Sequence, residues 1–187
     1  MHKVWGALVV AIVCVSVAMA VGFTAVADDD DDDDDDDERK QRSFRANLSG
    51  YQEVPTLSMP GSGSLRLRLN SGATEATYTL SYSGLSGDAL FAHIHLGARG
   101  TNGGVIVFLC DAPGGAPAPA GTPACPGASG IVSGSLNAAS VVGPAAQGIA
   151  AGEWTEFVAA LRAGFTYANA HTTLFPGGEI RGQVSSS

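Results

Sequence analysis

No basic stripe interleaved with aromatic residues runs through this chain, and that absence excludes nucleic acid as a partner. No Gly-x-Ser-x-Gly elbow frames any of its many serines, so the signature of a nucleophilic hydrolase is missing. No repeat of fixed period is present, which excludes solenoid and propeller architectures. Histidine is scarce, at His2, His93, His95 and His171 only, and cysteine is scarcer, at Cys14, Cys110 and Cys125. The region from residue 41 onward also lacks net charge, because its seven acidic residues face seven arginines.

What charge the chain has lies near its start. Lys3 precedes an uncharged apolar run from Val4 to Val21, and Ala25, Val26 and Ala27 then fit the small-x-small pattern of an export signal. Residues 1–27 are therefore read as a cleaved signal peptide, with an uncleaved membrane anchor as the alternative reading of the same apolar run. Val13 stands before Cys14, where lipidation needs a small residue. Asp28 to Asp37 are ten consecutive aspartates, followed by Glu38. Such a block repels itself and buries no apolar surface, so residues 28–42 are expected to form a disordered acidic tether, with poorly specific cation binding as its sharper use.

Residues 43–185 are long enough for one domain with a sizeable core. Ser64 to Asn70 alternates, with Leu65, Leu67 and Leu69 on one face and Arg66 and Arg68 on the other; Asn70, Ser71 and Gly72 supply a turn, and Ala73 to Ser83 alternates again. This pattern predicts a hairpin in an antiparallel sheet. Further strands are expected at Phe44 to Gly50, Leu90 to Leu96, Val105 to Cys110, Gly130 to Leu136, Phe165 to His171 and Glu179 to Val184. One short amphipathic helix is expected over Glu153 to Ala163, where Trp154, Phe157, Val158 and Leu161 recur at helical spacing. The fold class is all-β, an antiparallel β-sandwich or flattened barrel. Two cysteines survive removal of the signal, and an even count in an exported chain predicts a Cys110–Cys125 disulfide closing the Pro/Gly/Ala-rich insertion at 111–127. Glu179 and Arg181 stand two apart on one expected strand, which predicts an ion pair between them or with Glu53.

Three blocks then resemble the CHRD (chordin) domain family. They are Phe44-Arg-Ala-Asn-Leu-Ser-Gly-Tyr-Gln-Glu-Val-Pro55; Tyr82-Ser-Gly-Leu85 with Ala92-His-Ile-His-Leu-Gly97, Gly100, Asn102 and Gly103; and Tyr167-Ala-Asn-Ala-His-Thr172 with Pro176-Gly-Gly-Glu-Ile-Arg-Gly-Gln183. The resemblance implies an extracellular all-β domain of Ig-like or superoxide-dismutase-like form, secreted or held at the periplasm or cell surface. It implies no settled molecular function.

His93, His95 and His171 all fall inside those blocks. On a strand, positions i and i+2 project to one face, so His93 and His95 present two imidazoles side by side. With His171 from a neighbouring strand they would form a three-histidine site for copper or zinc, and Glu179 is the carboxylate expected to serve as fourth ligand or to orient a ring. The other reading of the same residues is a hydrogen-bonded network with backbone carbonyls, Asn169 and Glu179. The glycines at 97, 100, 103 and 104 are expected to supply turns with positive φ. The leading functional reading is a non-catalytic binding or structural module toward an extracellular ligand or surface. The alternative is a metal-dependent oxidoreductase resembling copper/zinc superoxide dismutase, from which the chain departs by having too few histidines for a two-metal site.

Overall fold

Residues 42–113 and 117–187 are described by the computed structural model. The expected signal peptide and all of the expected tether except Arg42 lie outside them. Alternation sets the first hairpin: in β1 (Ser43–Ser49), β2 (Ser62–Leu69) and β3 (Ala76–Ser83), Phe44, Ala46, Leu65, Leu67, Leu69, Ala76, Tyr78 and Leu80 are buried, whereas Arg45, Arg66 and Arg68 are exposed. The register places Leu65 opposite Leu80 and Leu67 opposite Tyr78, so each cross-strand pair adds apolar surface to one side.

The connection between β2 and β3 is longer than the expected Asn70–Gly72 turn. The Asn70 carboxamide accepts the backbone N–H of Thr74 at 2.9 Å, which holds the chain in a loop and carries Ala73 into the left-handed region at φ 49°. Five more strands follow: β4 (Ala89–Leu96), β5 (Val105–Asp111), β6 (Gly130–Leu136), β7 (Thr166–Thr172) and β8 (Ile180–Gln183). The last expected strand forms as β8; Val184 then turns into the core, and beyond the expected span a two-residue β9 (Ser185–Ser186) pairs with β1.

All ladders are antiparallel, in the order β5-β4-β7-β8-β1-β2-β3-β6. The outer strands β5 and β6 do not pair with each other; an isolated bridge ties Val107 of β5 to Val141, just beyond β6. The sheet is thus a nearly closed barrel, which fits the expected flattened barrel. The expected helix forms as α1 (Trp154–Arg162), with Trp154, Phe157, Val158 and Leu161 buried in the core. The Trp154 indole N–H donates to the Ala73 carbonyl at 2.6 Å, so the helix also secures the β2–β3 loop.

Cys110 and Cys125 form a disulfide across 15 residues. The bond clamps the insertion to the end of β5, where Asp111 also bridges to Ala124. A loop of this length loses enough unfolded-state entropy to stabilise the fold by about 3 kcal/mol. The Cys110→Ala, Cys125→Ala double variant should therefore unfold at a visibly lower urea concentration than the parent with an unchanged far-ultraviolet circular dichroism spectrum. An unchanged midpoint would show that the clamp constrains nothing.

Candidate metal centre

Strands β4 and β7 lie side by side and run antiparallel, with Phe91 opposite His171, His93 opposite Asn169 and His95 opposite Tyr167. The even-numbered residues Ala92, Ile94, Ala168 and Ala170 face the core. By the period of two, all three histidines therefore lie on the opposite face of the sheet. They are buried there as well, with His93 4 %, His95 7 % and His171 7 % exposed. Register shifts between β4 and β5 on either side of His93 and Ile94 bring Phe108 of β5 against the His93 ring, at 4.3 Å between centroids.

The three side chains converge. The His93 centroid stands 5.3 Å from that of His95 and 5.2 Å from that of His171, and each ring offers one nitrogen within 4.8 Å of the others. Two imidazoles on one tetrahedral metal, bound at about 2.0–2.1 Å, hold their nitrogens about 3.4 Å apart, so modest side-chain rotations would close the set. Aromatic rings wall it: Phe91 stacks on His93 at 4.8 Å and leans on His171 at 4.4 Å, and Tyr167 lies parallel to His95 at 4.7 Å.

Hydrogen bonds set two of the three rings. His95 Nδ1 lies 2.9 Å from the Gly103 carbonyl and His171 Nδ1 lies 2.9 Å from the Pro176 carbonyl. Carbonyl oxygens only accept, so in the neutral rings both Nδ1 atoms carry the proton and both Nε2 atoms carry a lone pair. His171 Nε2 is 2.9 Å from Asn169 Oδ1, whose amide nitrogen donates to Glu53 at 3.5 Å. Two acceptor oxygens thus face a ring that has one proton. His95 Nε2 and both nitrogens of His93 have no hydrogen-bond partner among the described residues. Asn169 is near enough to His95 to favour its charged form, but it does not reach hydrogen-bonding geometry with Nε2.

Burial keeps the rings neutral. It lowers His93 to about 2, with added repulsion from His171 and His95, and it lowers His171 to about 4. His95 is lowered by the same cause. Burial raises Glu53 above the usual carboxylate range.

The expected carboxylate is elsewhere. Glu179 precedes β8, after Gly178 has turned the chain at φ 124°, and is 0 % exposed. Its Oε1 accepts from the Ser86 N–H (2.7 Å) and hydroxyl (2.8 Å), and its Oε2 accepts from the Thr172 hydroxyl at 2.7 Å. The alternation that places Arg181 beside the histidines therefore does not extend back to Glu179, and these two residues form no ion pair. Arg181, 2 % exposed, donates to the carbonyls of Ala98 and Thr101 and to Asn102 Oδ1, and its guanidinium lies 3.4 Å from the Tyr167 ring centroid. The carboxylate linked to the cluster is Glu53, through Asn169.

The loop between β4 and β5 covers this face. Of its four glycines only Gly100 has a positive φ, at 75°. Gly103 is required for close approach instead, since a Cβ there would sit 1.6 Å from the Leu96 carbonyl oxygen. Phe91, Phe108 and Tyr167 were not singled out from the sequence. The signal for Phe91 and Tyr167 was present, because each extends a stripe of odd-numbered residues: Phe91, His93, His95 and Tyr167, Asn169, His171.

These histidines have folded pKa values below their unfolded value of about 6.5. Each one's contribution is intact above that pH and is lost as pH falls toward the folded value. In metal-free protein, His93 and His171 should each cost about 2 kcal/mol of stability on going from pH 7 to pH 5. Urea unfolding at the two pH values checks this, and His93→Phe should reduce the loss by about one such share. An equal loss in parent and variant would contradict a buried neutral His93.

A family model for the CHRD domain matches residues 44–184. No curated protein and no solved structure matches the chain. The matched span covers β1 from Phe44, every strand from β2 to β8 and all three converging histidines, and the chain belongs to the CHRD domain family.

Proposed function

We propose that this protein is an exported, non-catalytic binding or structural module whose CHRD domain holds one transition-metal ion, copper or zinc, on His93, His95 and His171. The observation that carries this reading is the convergence of three buried, neutral imidazoles of which His93 and His95 keep nitrogens without a partner among the described residues. A purely architectural network accounts for one side of His171 and one side of His95, but for neither nitrogen of His93. Each buried polar group left unbonded costs about 1–3 kcal/mol, and net stabilities of domains are only about 5–15 kcal/mol. An apolar side chain at position 93 would serve a structural role better. A metal would use the His93 and His95 nitrogens that the network leaves over, together with His171 Nε2, whose lone pair faces Asn169 Oδ1 with no proton between them.

Export rests on the signal-like residues 1–27, on the extracellular character of the family and on the disulfide, which belongs to oxidising compartments. No helix among the described residues is long and apolar enough to cross a membrane. The non-catalytic reading rests on burial, because an open coordination position needs access and none of the three rings is more than 7 % exposed.

Calorimetric titration of the purified protein with copper or zinc should show one tight site that disappears in the His93→Ala, His95→Ala double variant. Metal at 100 times its dissociation constant should stabilise the parent by about 2.7 kcal/mol and leave the variant unmoved. Equal binding by parent and variant would move the metal to the aspartate run and remove the proposal.

A further inference from the structure

We infer that the three-histidine centre is built for a monovalent ion, cuprous copper held by three nitrogens, in preference to zinc or cupric copper. The inference rests on the metal reading above and goes on to name the ion. Its basis is charge and access around the ligand set.

None of the three converging ligands is anionic. The set contains no thiolate and no carboxylate, so a bound ion brings its whole charge into the protein. The wall is aromatic, from Phe91, Phe108 and Tyr167, and the rings are almost completely removed from water. The cost of moving an ion from water into such surroundings grows with the square of its charge, so a dication is penalised about four times as heavily as a monocation.

The fixed charge that acts on the His95 ring is also positive, and Glu53 offsets it in part. Arg181 lies against Tyr167, which in turn stacks on His95, and its cation is close enough to disfavour positive charge on that ring. It repels a dication twice as strongly as a monocation. Glu53 is the carboxylate in reach, but Asn169 stands between it and His171. Zinc normally completes four ligands, and a catalytic zinc takes water as the fourth. Rings no more than 7 % exposed offer little entry for that water, whereas three nitrogens suffice for a three-coordinate cuprous ion.

The test is a chelator competition on metal-stripped protein. Cuprous copper is supplied anaerobically from a chromophoric chelator, and zinc and cupric copper from chelators of their own. The His93→Ala, His95→Ala variant subtracts whatever the aspartate run takes up. The parent should bind one cuprous ion at least about 100-fold more tightly than either dication. A second arm uses Asn169→Asp, which sets a carboxylate beside His171 and should narrow the gap between cuprous copper and zinc by about 10-fold. Zinc or cupric copper bound as tightly as cuprous copper would overturn this inference while leaving the three-histidine site standing. Binding of none of the three would overturn the site itself. A gap unchanged in a folded Asn169→Asp protein would overturn the charge argument, and should that variant not fold, the competition on the parent decides.

Discussion

Strands β4 and β7 are buried on both faces, and the face turned away from the core carries imidazoles. That constraint governs the rest of the domain. Antiparallel sheets commonly leave one face in water, and β1, β2 and β3 do so here, with Arg45, Arg66 and Arg68 exposed. Across the barrel the same architecture must cover a polar face, and covering it removes from His93, His95 and His171 the water that would satisfy or protonate them. The rings stay neutral because the charged form has nowhere to be solvated. Neutral imidazole is also the form that binds metal.

Holding the cover in place takes much of the polar chemistry of the domain. Arg181 ties down the β4–β5 loop by bonding carbonyls at 98 and 101 and Asn102, while resting on Tyr167. Gly103 lets that loop pass against Leu96 and offers its carbonyl to His95. Glu53 reaches the other side through Asn169. Glu179 holds a separate corner, joining Ser86 to Thr172, and so supports the strand that carries His171 without touching the ligand set. Of the two buried carboxylates, only Glu53 is linked to the histidines, through Asn169.

The fold was legible wherever one face meets water. Leu65-Arg66-Leu67-Arg68-Leu69 declares both its strand and its inward face, and the spacing of Trp154, Phe157, Val158 and Leu161 declares the helix. The disulfide followed from counting. His93 and His95 were legible as a pair from alternation, and His171 joined them because all three fall in the blocks that resemble the family; that β4 and β7 are neighbours comes from the sheet order, not from the chain order. The supporting residues were not, because they depend on register between strands and on one turn. Only the pairing of His95 with Tyr167 and of His93 with Asn169 reveals the ring stack and the Asn169–Glu53 link. Gly178 breaks the alternation one residue before Glu179, and that break sends this carboxylate to Ser86 and Thr172 instead of to the histidines. A local period of two does not anticipate such a break.

The central claim is that the partnerless nitrogens of His93 and His95 belong to a metal. Its most direct test is anomalous scattering from crystals of the protein grown with copper or zinc, recorded on both sides of the metal's absorption edge. The account predicts one strong anomalous peak at about 2.0–2.1 Å from a nitrogen of each of His93, His95 and His171. Density at that position without an anomalous signal, with ordered water bonded to the His93 nitrogens, would contradict it and would make the three rings a hydrated structural network.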